Sequence, residues 1–234
     1  GIYFSDDAEA DLTAYAGAYL QEEIVAEGAT RSVPAFSRFL RIAALCNARI
    51  VNFTNVANDA QVPRTTVYDY FDILKDTLLV RELPAWKLTR KRKPLMSSKY
   101  YFSDPGVVRA LQGRTVVPGT PEYGDAVETY VMHELSAWND YQGAQSLAFW
   151  RSTSNFEVDF IIVDKTKVLE LIQVTLKMDK QTTRTRELSR LKKGAELLKC
   201  ENLTLLSLSE RGVEEYEGHK INKFMVVDWL LGNQ

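Results

Sequence analysis

At 234 residues and 45% hydrophobic content, the chain is long enough for one large or two ordinary domains and apolar enough to bury a core. A net charge of -2 and a pI near 5.8 exclude a polycation, so any polyanion site has to be a local patch. No apolar run approaches the roughly 18 residues of a membrane span, and the start lacks a secretory pattern. Cys46 and Cys200 each sit inside an apolar pattern and read as buried thiols, which makes the cytoplasm the expected compartment.

Leu12, Tyr15, Ala16, Tyr19, Leu20 and Ile24 recur at helical spacing, so residues 8–27 are expected to form an amphipathic helix. Its outer face is acidic, since residues 5–27 hold seven carboxylates and no cation. Ser32 and Pro34 signal a second helix that buries Phe36, Phe39, Leu40 and Ala43. Thr54 is the expected cap of a short third helix. Pro63 opens a fourth through Val67, Tyr70, Phe71 and Leu74, and the pair makes a helix-turn-helix outline. Strand-like residues 78–84 and 99–103 flank a basic excursion, as the strands of a winged helix flank its wing. Residues 81–99 carry seven basic side chains against Glu82 alone.

The first domain is expected to end near Asp104-Pro105-Gly106, with 106–122 as linker or surface loop. From Tyr123 the pattern runs helix, strands near 147–151, 156–163 and 167–176, a helix over 182–199, and a strand at 203–208. That is the order of a small α/β core.

Two constellations carry chemistry. In the first, Arg64, Thr65 and Thr66 begin a candidate recognition helix, and Lys87, Arg90, Lys91, Arg92 and Lys93 are candidate phosphate contacts. Such contacts make binding salt-dependent. A protein-docking winged helix with a solvated basic loop is the alternative.

In the second, Asp159 on one strand faces Gln173-Val174-Thr175 on the next. A restriction-type nuclease core places Asp and Glu-x-Lys in this layout to hold Mg²⁺ or Mn²⁺ and orient water. An amide adds no charge to hold a cation, and Thr175 cannot act as the lysine. Lys177 is the candidate displaced lysine, and Glu128 or Glu134 on the helix from Tyr123 is a candidate further metal ligand. The alternative is an inactivated core in which Asp159 and Gln173 are satisfied by hydrogen bonds. A third charged feature, residues 177–199 with eight basic and three acidic side chains, reads as a solvated helix face. His133 and His219 stand alone, and no phosphate-binding Gly-rich loop is present.

These stretches together resemble the C-terminal half of a large prokaryotic family of AAA+ type ATPases, made of a winged helix and a PD-(D/E)XK-like domain of unknown function. The matching segments are 18–24, 67–79, 100–107, 150–152 and 157–160. The resemblance implies an α+β chain: residues 1–30 a linker helix from an ATPase module preceding residue 1, 31–105 a winged helix, 106–122 a linker, and 123–234 a nuclease-like domain. A chain that begins at Gly1 rather than Met agrees with that expectation. ATP is implied for the preceding module, with no cofactor beyond a possible divalent metal in this region. Asp159 falls on the family's Asp, and Gln173 with Thr175 departs from its Glu and Lys. The leading expectation is a DNA- or partner-binding region with an inactive nuclease-like domain. The alternatives are an active metal-dependent nuclease, and a protein-interaction platform for the ATPase.

Overall fold

The structure, a computed structural model, describes residues 5–19, 22, 32–86, 98–142 and 145–232. The chain is mixed α+β with two separate sheets. Among the described residues, those up to Glu82 together with Ser98–Glu122 form one compact unit, and Leu83–Trp86 with Tyr123 onward form another. No helix among them is long and apolar enough to cross a membrane.

In the first unit α1 (Ala8–Ala14) starts at Asp7, whose Oδ1 accepts from Ala10 N at 3.0 Å. It continues as a π-helical turn over Tyr15–Tyr19 and buries Ala16. Leu20 and Ile24 lie outside the described residues. Helix α2 (Val33–Leu45) buries Phe36, Phe39, Leu40 and Ala43, the expected stripe. Helix α3 (Phe53–Ala60) is capped by Asn52 rather than Thr54. Asn52 has the extended backbone a cap requires, and its Oδ1 accepts from Thr54 N at 3.0 Å and Asn55 N at 3.2 Å. Gln61, left-handed at φ 55°, turns the chain toward α4 (Arg64–Asp76).

Helices α2 and α4 lock through aromatic edges. Phe39 meets Phe71 at 5.1 Å and 89°, and Phe36 meets Tyr70 at 5.1 Å and 84°. A small sheet of β1 (Arg49–Ile50), β2 (Val80–Leu83) and β3 (Lys99–Phe102) runs in the order β1-β3-β2. Strand β1 has two residues, too few to show alternation in sequence. Residues 105–112, expected to begin a loop, instead form helix α5 (Pro105–Gln112). Asp104 caps it, Val107 and Val108 enter the first core, and Gln112 Nε2 donates to Ala44 O at 2.8 Å. Asp-Pro-Gly serves here as a helix start, since Pro suits the first turn and Asp the cap.

The second unit takes in α6 (Pro121–Gln142) from Tyr123 onward and builds a six-stranded sheet. Its strands are β4 (Ser146–Arg151), β5 (Glu157–Asp164), β6 (Lys167–Val174), β7 (Leu203–Ser207), β8 (Gly212–Tyr216) and β9 (His219–Met225), ordered β4-β5-β6-β7-β9-β8. The pairs β4–β5 and β5–β6 are antiparallel, whereas β6–β7 and β7–β9 are parallel. The parallel step from β6 to β7 is spanned by α7 (Gln181–Leu198), as parallel neighbours require. Residues 84–86 border β4, where Phe149 N donates to Pro84 O and Trp86 N to Phe149 O. The hairpin β8–β9 and the short α8 (Val226–Leu230) were not legible in the sequence.

Leu188, Leu191, Ala195 and Leu198 of α7 pack on Val158, Ile161 and Leu171. A Cβ at Gly194 would lie 2.9 Å from Leu171 Cδ1 and 3.0 Å from Val158 Cγ2. Both neighbours are fully buried, and valine is stiff. Gly194→Ala gains about 1 kcal/mol of helix propensity but overpacks a dense core at about 1–3 kcal/mol. The variant is therefore expected to melt lower than the parent in a urea titration, and an equal or higher midpoint would contradict this packing.

On the opposite face, burial pushes the Glu170 carboxyl above its usual range, against the lowering effect of its bond from Thr204 Oγ1 at 2.5 Å. A raised native value means that the folded chain holds its proton where the unfolded chain has released it. Stability therefore falls as pH rises from the ordinary glutamate range through the raised one. Glu170→Gln should flatten that slope, read as unfolding free energy at a series of pH values.

Candidate functional site

Asp159 and Gln173 stand opposite each other where the β5–β6 ladder ends, next to the paired residues Phe160 and Ile172. Both are buried, at 6% and 1% exposure. Gln173 Nε2 donates to Asp159 Oδ2 at 2.7 Å, and Val174 N donates to the same oxygen at 2.9 Å. The carboxylate thus replaces a strand partner for the amide of β6, which explains why an acid is tolerated at this depth. Gln173 Oε1 is buried without a hydrogen-bond partner among the described residues.

Thr175 N continues the ladder by donating to Leu206 O at 2.9 Å, and its side chain is half-buried. Lys177 lies beyond the end of β6 with an exposed side chain. Glu128 and Glu134 are half-buried on α6. Among the described residues no three His, Cys, Asp or Glu side chains gather closely enough to hold a metal, so Glu128 and Glu134 do not join Asp159 as a three-carboxylate set. Mg²⁺ and Mn²⁺ favour several oxygen ligands with compensating charge. Asp159 Oδ2 is already engaged by an amide and a backbone N–H, and Gln173 adds no charge, so that pair by itself does not fit the demand.

On α4, Arg64 and Thr65 are exposed and Thr66 is half-buried. Arg64 Nη2 donates to Tyr68 Oη at 2.8 Å, and Tyr68 stacks on Phe53 at 4.3 Å. The exposed side of α4 also holds Asp69, Asp72 and Asp76, and Lys75 is tied to Asp72 at 2.8 Å and Glu82 at 3.2 Å. Lys87, Arg90, Lys91, Arg92 and Lys93 lie outside the described residues.

The basic face of α7 is compensated within the fold. Arg184 makes a two-pronged bond to Glu214 at 3.0 and 2.5 Å, while Arg186 and Arg190 both bind buried Glu187, at 2.6 and 2.9 Å. Lys192 meets Glu217, and Lys193 meets Glu196 at 3.6 Å. Glu214 and Glu217 come from the β8–β9 hairpin and its turn, beyond the residues that made this helix look uncompensated.

Removing the Asp159 side chain leaves Val174 N and the Gln173 amide without their acceptor. Asp159→Ala should cost about 3 kcal/mol and Asp159→Asn clearly less, because Asn keeps an accepting oxygen. Chemical denaturation of both variants reads this, and equal losses would argue against the bonding scheme.

Residues 3–116 match a family described as Domain of unknown function (DUF8612), and residues 123–226 match Domain of unknown function (DUF4143). The chain is similar to two uncharacterized proteins, Mb2031c of Mycobacterium bovis and Rv2008c of Mycobacterium tuberculosis. Each is 24% identical over 161 residues, covering 68% of this chain and 36% of the relative. The chain therefore spans about a third of the length of these curated relatives. No solved structure matches it. Two successive stretches of the chain, 3–116 and 123–226, are thus similar to two different domain families of unknown function.

Proposed function

We propose that the chain is a DNA- or partner-binding region that follows an AAA+ ATPase module in a cytoplasmic protein, and that its second unit is a nuclease-like domain kept for shape. The observation that carries this reading is the closed bond from Gln173 to Asp159, which occupies the carboxylate that a metal would need. The helix and strand order α6-β4-β5-β6-α7-β7, antiparallel through β6 and then parallel, supports a PD-(D/E)XK-like core. The order α2-β1-α3-α4-β2-β3 with β3 in the centre of its sheet supports a winged helix, in which α4 enters the major groove. The family that residues 123–226 match is often found in proteins associated with AAA ATPases, which supports the ATPase parent.

With Lys87, Arg90, Lys91, Arg92 and Lys93 on phosphates, affinity for a labelled duplex should fall about 500-fold between 50 and 200 mM salt. Arg90→Ala with Lys91→Ala should flatten that dependence by about two units of log-log slope. The same samples should leave duplex, branched and single-stranded DNA uncut in Mg²⁺ or Mn²⁺. Binding indifferent to salt and to both substitutions would refute the DNA arm, and metal-dependent cutting lost in Asp159→Asn would refute the inactive site.

One observation favours a second reading, a protein-interaction platform. The exposed side of α4 sets Asp69, Asp72 and Asp76 against Arg64 and Lys75, a mixed surface better suited to a protein than to phosphates. Capture of a separately produced ATPase module, with no DNA shift at low salt, would select that reading.

A further inference from the structure

The second unit holds a cavity of about 290 Å³ on the sheet face away from α7. Glu170 and Ile172 line it, whereas Leu171, between them, packs on the α7 side. Its floor is a cross-strand row in which Ile172 pairs with Thr204 and Thr204 with Asn222. Helix α6 supplies Leu135, Trp138 and Asn139, one face at helical spacing, and α8 supplies Trp229. The Trp138 and Trp229 rings meet at 4.6 Å and 52° and close one wall.

Three features define what such a space accepts. Its lining contains no Lys, Arg or His, so phosphate and other anions are disfavoured. Its polar groups include two acceptors with capacity for further donors: Glu170, which accepts from Thr204 Oγ1, and Asn139 Oδ1, buried without a partner among the described residues. Its volume lies at the lower end of ligand pockets, about 300 Å³, enough for a base or nucleoside and far more than one water, about 30 Å³, requires.

We propose that this cavity binds an uncharged nitrogen heterocycle of nucleobase-to-nucleoside size, whose N–H groups donate to Glu170 and Asn139 Oδ1 while its ring lies against the Trp138–Trp229 wall. Asn222 and Thr204 face the same space with groups that both donate and accept, which suits the mixed edge of a base. Guanine is the base whose adjacent N–H groups suit a carboxylate best, so guanosine leads the test. The site shares no residue with the Asp159–Gln173 pair, and because Glu170 and Gln173 are three apart on β6 they point to opposite faces. The inference is independent of DNA binding.

The whole chain is titrated with guanosine, adenosine, cytidine, uridine and guanosine monophosphate by calorimetry. Saturable binding of a nucleoside is expected, at least ten-fold weaker for the monophosphate than for guanosine. Glu170→Gln and Asn139→Leu, both close in size to the parent residue, should each weaken nucleoside binding at least ten-fold while circular dichroism shows the parent fold. Asn222→Leu replaces either variant that fails to fold. The proposal is overturned if none of the four nucleosides binds at millimolar concentration, or if binding persists unchanged in the folded variants.

Discussion

Strand β6 is hydrogen-bonded on both edges, antiparallel to β5 and parallel to β7, and carries side chains into both faces of the larger sheet. The middle of such a strand is largely screened from water, so each polar atom it fully buries has to be satisfied by the fold or left at a cost. Leu171 commits one face to α7, and Gly194 lets the helix come close enough to seal it. Glu170 and Ile172 commit the other face to the space bordered by α6 and α8. At the end of the same strand, Gln173 and the amide of Val174 converge on Asp159.

This constraint gives Asp159 a structural role, as the acceptor for Gln173 Nε2 and Val174 N at the end of the strand. A pair of carboxylates here would need a cation to offset their repulsion, and the amide of Gln173 removes that need by donating where a second acid would repel. The exchange is incomplete, since Gln173 Oε1 has no partner among the described residues. A buried polar pair that is only partly satisfied carries a stability cost that the surrounding packing has to offset.

Charge shows how far linear reading reaches. The excess of cations over 177–199 suggested a surface open to solvent or polyanions, yet Arg184 and Lys192 are paired with Glu214 and Glu217, far along the chain. Arg186 and Arg190 converge on Glu187, which sits in the same helix at 2% exposure and is paired with both. The first unit has a similar lesson in α5. Asp104-Pro105-Gly106 read as a boundary because those residue types punctuate loops. The same residues cap and open a helix when Val107 and Val108 have a core to enter.

Periodicity alone was enough to locate α2, α4, α7 and strands β4 to β7, because each pairs a strong apolar pattern with a buried face. The sequence also marked Asp159 and Gln173 as partners, since strand alternation and a short turn leave few other registers. It was silent on β1, which is too short for a pattern, and on β8–β9, whose residues Glu214, Glu215 and Lys223 are held by pairing and ion contacts rather than by apolar alternation. Only the tertiary structure decided that Asp159 is bonded to Gln173 and Val174, that the α7 cations are paired, and that Glu170 and Asn139 line one cavity. Those outcomes depend on which side chains meet across strands and helices distant in sequence, and burial then sets the strength of each interaction.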